Sequence, residues 1–138
     1  MRQTRQHGST IILMTAVSQA NAPTADSFFQ RGLNLLAANL PAQAARAFRA
    51  AIAAEPGHIE AHHGLIRALR DSGHSEQSVA AALALTALTP GDPLAHTALS
   101  ISLQRAGHVP QAEAAAARAR VLEWKIQLQS PPGEDSQS

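Results

Sequence analysis

The sequence predicts an all-α chain of three tandem helix-turn-helix repeats, six antiparallel helices stacked as a solenoid with an extended last helix. Three observations carry that prediction. Alanine, leucine, arginine and glutamine, all strong helix formers, dominate, while aromatics make up only 3% and strand-favouring β-branched residues are scarce. The chain matches itself at an offset of 34 residues: "LNLLAANLPAQAARAFRAAIAAEPGH" (33–58), "RALRDSGHSEQSVAAALALTALTPGD" (67–92) and "ISLQRAGHVPQAEAAAARARVLEWKI" (101–126) align without a gap. Residues that stop and start helices recur at the same spacing.

Extended backward, the blocks give repeats 25–58, 59–92 and 93–126. Asn39, Gly73 and Gly107 close the first helix of each, being the types that tolerate a left-handed C-terminal conformation. Pro41 and Pro110 then begin a second helix, where proline forfeits no intrahelical bond, and Ser75 is the expected N-cap at that place in the second repeat. "Pro56-Gly57" and "Pro90-Gly91-Asp92-Pro93" break the chain between repeats, with Asp92 capping and Pro93 opening the next helix. In the third repeat Trp124 stands where a terminal proline would fall, so the last helix runs on through "RVLEWKIQLQ" toward Pro131-Pro132.

These positions resemble the tetratricopeptide repeat family, whose pattern sets small and apolar residues in a first helix, a small residue early in the second, an aromatic four residues on and a proline near the end. The first repeat carries it almost whole in Phe28, Gly32, Leu35, Ala44, Phe48, Ala51 and Pro56. The second has His62, Leu65, Leu69, Gly73, Ser78 and Pro90; the third has His96, Leu99, Ser100, Leu103, Gly107, Ala112 and Ala119. The resemblance implies a right-handed α-solenoid with a concave face. Ile66 departs from the pattern, standing where the family has glycine or alanine at the closest approach of paired helices, with small Ser78 and Ala82 expected opposite to make room.

With 45% hydrophobic residues in 138, the chain can bury one domain's core, though alanine dominates and each buried side chain removes little area from water. A formal net charge of +1 and the lack of a lysine/arginine block disfavour nucleic acid and anionic membrane. Without cysteine there is no disulfide framework and no thiolate metal site. Residues 1–24 read as a leader: Arg2 and Arg5, an apolar run from Ile11 to Val17, then small residues, in the order of a secretory signal peptide cleaved after Ser18-Gln19-Ala20. An uncleaved disordered leader is the alternative, and the run is too short to span a bilayer. The expected compartment is periplasmic or extracellular if the leader is removed and cytoplasmic otherwise. Residues 127–138 are expected to end the last helix and continue as a polar disordered tail, "SPPGEDSQS".

Adjacent His62 and His63 invite a metal or catalytic reading. His62 aligns with Leu65, Ile66 and Leu69 and recurs as His96, so both read as core or near-core packing with one ring nitrogen hydrogen-bonded. His63 points elsewhere, in line with Glu60, Arg67 and Arg70. A metal would also need His58 from the inter-repeat turn, and no carboxylate or cysteine completes the set, so no metal or other cofactor is expected. No glycine-rich phosphate loop, serine with base and orienting acid, or paired carboxylates appear, and a shallow groove does not readily build a water-excluded site; the chain reads as a non-enzyme.

The family's concave positions fall on Asp26, Phe29, Leu33 and Leu36 in the first repeat, Glu60, His63, Arg67 and Arg70 in the second, and Leu94, Thr97, Ile101, Gln104 and Arg105 in the third. Two apolar ends flank a basic middle. The two-carboxylate clamp with which chaperone-binding members hold a peptide's terminal carboxylate is missing, since Phe29 and Leu33 replace its first lysine and asparagine. The expected groove takes an extended or helical segment, apolar side chains seating on Phe29, Leu33 and Ile101 and an acidic group meeting Arg67 and Arg70. The alternative cover is the residues preceding Asp26 or another copy of the chain. Val121, Leu122, Trp124, Ile126 and Leu128 are too apolar for a free helix end, which makes Trp124 the anchor of a second contact.

The expected partner is a protein or peptide, with self-association open and neither nucleic acid nor membrane insertion involved. The leading reading is a small adaptor or scaffold in a bacterial multiprotein assembly, the attribution resting on the alanine- and arginine-rich repeats. The others are a cytosolic secretion chaperone, against which an isoelectric point of 8.6 counts, and an accessory subunit that tethers an enzyme.

Overall fold

A computed structural model describes residues 22–129. The signal-peptide and tail readings fall on residues 1–21 and 130–138, outside the described residues. Six helices are present: α1 (Ala25–Ala37), α2 (Pro41–Ala54), α3 (Ile59–Asp71), α4 (Ser75–Leu88), α5 (Pro93–Arg105) and α6 (Val109–Gln129). The described chain is all-α.

Each first helix of a pair starts on a side-chain cap, and the three caps are 34 residues apart. Thr24 Oγ1 accepts the Ser27 N–H at 3.1 Å, His58 Nδ1 that of Ala61 at 3.1 Å, and Asp92 Oδ1 that of Leu94 at 3.0 Å. Thr24 and Ser27 cap one another reciprocally, the Thr24 N–H donating to Ser27 Oγ at 2.7 Å. The same helices end alike. Asn39, Gly73 and Gly107 take φ of 60°, 82° and 86°, and the following N–H groups of Leu40, His74 and His108 donate back to Leu35, Leu69 and Leu103 at 2.9, 2.8 and 2.8 Å. Because that closure places the backbone of His74 just before α4, His74 is the N-cap and Ser75 the first helical residue; no side chain caps α4, and the expectation for Ser75 is corrected.

Packing follows the small residues. Phe48 of α2 is wholly buried between Gly32 of α1 and Gly64 of α3, and a Cβ at either glycine would lie 2.6 or 2.5 Å from its ring. It centres one core cluster with Ala44, Ala45, Leu65, Ala68 and Leu69. A second cluster joins Ile66 to Val79, Ala82, Leu85, Leu99, Leu103 and Ala112. Ile66 shares this cluster with wholly buried Ala82, one of the two small residues expected opposite it; the other, Ser78, is also wholly buried. At the equivalent place in α5, Ser100 Oγ instead donates to the Ala112 carbonyl at 2.8 Å, tying α5 to α6.

Successive helices pack in order, and the backbone of α3 also approaches those of α1 and α5, whereas the backbones of α2 and α4, and of α4 and α6, stay apart, Arg49 Nη2 donating across the first of those gaps to Gln77 Oε1 at 3.3 Å. The first helices therefore form the inner, narrower side of the stack. Shallow clefts open between α2 and α4 on the outside, one lined by Ile52, His62, Leu65, Gln77 and Ala84. The helix α6 continues for 21 residues because no proline stops it. No helix among the described residues is long and apolar enough to cross a membrane.

Candidate functional site

The inner face is built by the solvent-facing sides of α1, α3 and α5. Its crest is Leu33, Arg67 and Ile101, one from each helix at equivalent positions, all exposed. Around that crest, Thr97 is half-buried and Gln104 and Arg105 are exposed on α5, with Leu94 exposed near its start. Phe29 and Leu36 are committed in part to packing. The Phe29 ring lies 5.9 Å from that of Phe48 and 4.9 Å from the His58 imidazole, and both residues lean on the first core cluster. Leu33 is thus the exposed apolar residue that α1 offers on the crest.

Charge is sorted along the helices rather than only along the stack. Asp26 and Glu60 lie in the first turns of α1 and α3, while Arg70 and Arg105 lie in the last turns of α3 and α5, the arrangement that complements each helix dipole. Arg67 Nε reaches Asp71 Oδ2 at 3.6 Å. Arg70 is half-buried, and burial first, then the positive charges of Arg105 and Arg67, hold it below the ordinary arginine range against the opposing pull of Asp71. It stays charged all the same. Burial likewise holds His63 below the ordinary histidine range, with Asp92 and Glu60 pulling the other way and His62 and Arg70 adding to the fall.

Three further histidines, His58, His62 and His96, make structural bonds. His58, 7% exposed, accepts the Ala61 N–H on Nδ1 and so carries its proton on Nε2, which donates to Asp26 Oδ1 at 3.0 Å. It therefore joins α1 to α3 and is more than a turn residue, a role its position in the sequence did not signal. Nε2 of His62 and of His96 donates to the carbonyl of Pro56 and of Pro90, at 2.8 and 2.9 Å. Both rings are half-buried at the edge rather than within the core stripe, because that bond draws them toward the inter-repeat turn. Among the described residues, no three His, Asp or Glu side chains come together as a metal-ligand set. Trp124 stands on the overhang of α6, 65% exposed, beside a depression lined by Pro93, Arg120, Glu123 and Gln127.

A tetratricopeptide repeat family model matches residues 35–101. Among solved structures, a MamA protein superposes with a TM-score of 0.73 at 17% identity, covering 83% of this chain and 62% of that one. The second tetratricopeptide repeat domain of Spaghetti (RPAP3), bound to the HSP90 peptide SRMEEVD, superposes at 0.66 with 16% identity, covering 76% and 97%. The Yersinia enterocolitica type III secretion translocator chaperone SycD does so at 0.67 with 14% identity, covering 84% and 85%. This chain spans less than two thirds of the MamA chains, at 61% and 62% of their lengths. The sequence matches no curated protein.

Proposed function

Since the chain is a tetratricopeptide repeat protein, we propose that it is a binding scaffold whose concave face takes a segment of a partner protein. The observation that carries this reading is the exposed crest of Leu33, Arg67 and Ile101, in which apolar and cationic side chains from three adjacent helices face solvent together. A partner segment crossing it would lay apolar side chains on Leu33 and Ile101, with Phe29 and Leu36 forming the floor beneath and His63, Thr97 and Gln104 the polar margins. Its acidic group would meet the arginines, whose planar forks suit carboxylates. The peptide-bound RPAP3 structure, an acidic segment on this fold, supports the kind of ligand.

The setting we infer is a bacterial multiprotein assembly in which the chain is an adaptor and carries out no chemistry itself. A secretion chaperone is the second reading, favoured by the near-complete mutual coverage with SycD. The experiment is affinity capture from the native cell with wild type and a folded Leu33→Glu, Arg67→Glu variant. A partner recovered by the wild type and lost by the variant supports the concave face as the working surface; equal recovery removes it and turns attention to Trp124.

A further inference from the structure

Three guanidinium groups stand toward the C-terminal ends of α3 and α5, and they are not equivalent. Arg67 holds Asp71 one turn on. Arg70 has Nη1 shut off from solvent with no hydrogen-bond acceptor, a costly state for a charged donor. The charge that reaches it from α5 is of its own sign, and the carboxylate opposing that repulsion, Asp71, is the one Arg67 already engages. The 34-residue register adds a second observation: Arg105 occupies in α5 the position of Asp71 in α3. An acid there would relieve its neighbour; the chain has a cation instead.

We propose that Arg70 and Arg105 form a carboxylate receptor bridging α3 and α5, occupied by an aspartate or glutamate side chain of the bound segment, while Arg67 serves mainly as the partner of Asp71. This deepens the concave-face reading and rests on it. An acidic peptide is the occupant because exposed Leu33 and Ile101 stand on the same inner face as the arginines and offer seats for apolar side chains, while the net charge of +1 provides no extended field for a polyanion. Packed helices lie about 8–10 Å apart. The receptor lies about one and a half such spacings from Leu33 on α1 and an extended chain advances about 3.3 Å per residue, so the recognised acid falls about four to five residues from the apolar residue that seats on Leu33.

The test is selection of a random displayed peptide library against the full chain, followed by titration of the recovered peptides with wild type and variants. The recovered peptides carry Asp or Glu at that distance from an apolar residue. Arg70→Gln and Arg105→Gln each weaken them about ten- to hundred-fold, whereas Arg67→Gln costs no more than about fivefold. Arg105→Glu abolishes binding and raises the melting temperature, because the new carboxylate takes the ligand's place on Arg70. An Arg105→Glu chain that binds like wild type overturns the receptor. Peptides that need Leu33 but neither Arg70 nor Arg105 overturn it while leaving the concave-face reading intact; peptides indifferent to Leu33→Glu as well, or no recovered peptide, overturn both. Displacement by inorganic sulfate where sodium chloride of equal ionic strength is ineffective marks an inorganic-anion site and overturns the peptide assignment.

Discussion

At the scale of single residues, the fold turns on Phe48 and the two glycines that admit it. A methyl group at Gly64 would overlap the ring from α3, so Gly64→Ala is expected to cost about 1–3 kcal/mol, and Phe48→Ala about 3–5 kcal/mol, in urea unfolding. Combining Gly64→Ala with Phe48→Leu costs less than the sum, since the smaller side chain frees the space; strict additivity would contradict the contact. His58 serves as cap and as inter-helix tie, so His58→Ala is expected to lose about 1–2 kcal/mol, with His58→Asn falling between by keeping a capping acceptor without the reach to Asp26. His63 gives a sign in pH. Its folded value lies below the ordinary 6.5, so the unfolded chain takes up the proton first, and acidification through that value destabilises the fold until the folded group also titrates. His63→Gln is accordingly expected to flatten the stability profile below about pH 7; an unchanged slope would refute the assignment.

At the scale of elements, the sequence was most legible where the physics is local. Asn39, Gly73 and Gly107 announce left-handed closures through residue type alone, and Asp92-Pro93 announces a helix start. Trp124 in place of a proline correctly signalled that α6 would run on. What was not legible depends on contacts between helices distant in sequence. Nothing near Gly64 names Phe48 as its neighbour, nothing near His58 names Asp26, and the half-buried state of Phe29 and Leu36 follows from how α1 leans on α2 and α3. The charge reversal between Asp71 and Arg105 was open to the repeat alignment and carried weight only once Nη1 of half-buried Arg70 proved shut off from solvent without an acceptor. The overhang of α6 yields its own prediction. Trp124 is the chain's one tryptophan, so its fluorescence should resemble tryptophan in water and stay so on raising the protein concentration. A blue shift with concentration would show that copies cover this end; a blue shift only with a partner would make it the second contact.

At the scale of the whole molecule, a shallow alanine-rich stack holds its shape through recurring caps and two modest core clusters, and its inner face is left free of that work along one crest. The dipoles of α1, α3 and α5 run in the same sense, with Asp26 and Glu60 at one edge of the face and Arg70 and Arg105 at the other. A bound segment would therefore be oriented as well as held, with its acidic group at the C-terminal edge of α3 and α5. Placing a photo-crosslinking residue at Leu33, at Ile101 and, on the outer side, at exposed Ala84 in the native cell tests this most directly. The account predicts one shared adduct from Leu33 and Ile101, absent from Ala84 and lost on Arg70→Gln. Adducts from Ala84 alone would place the working surface on the outer helices and contradict it.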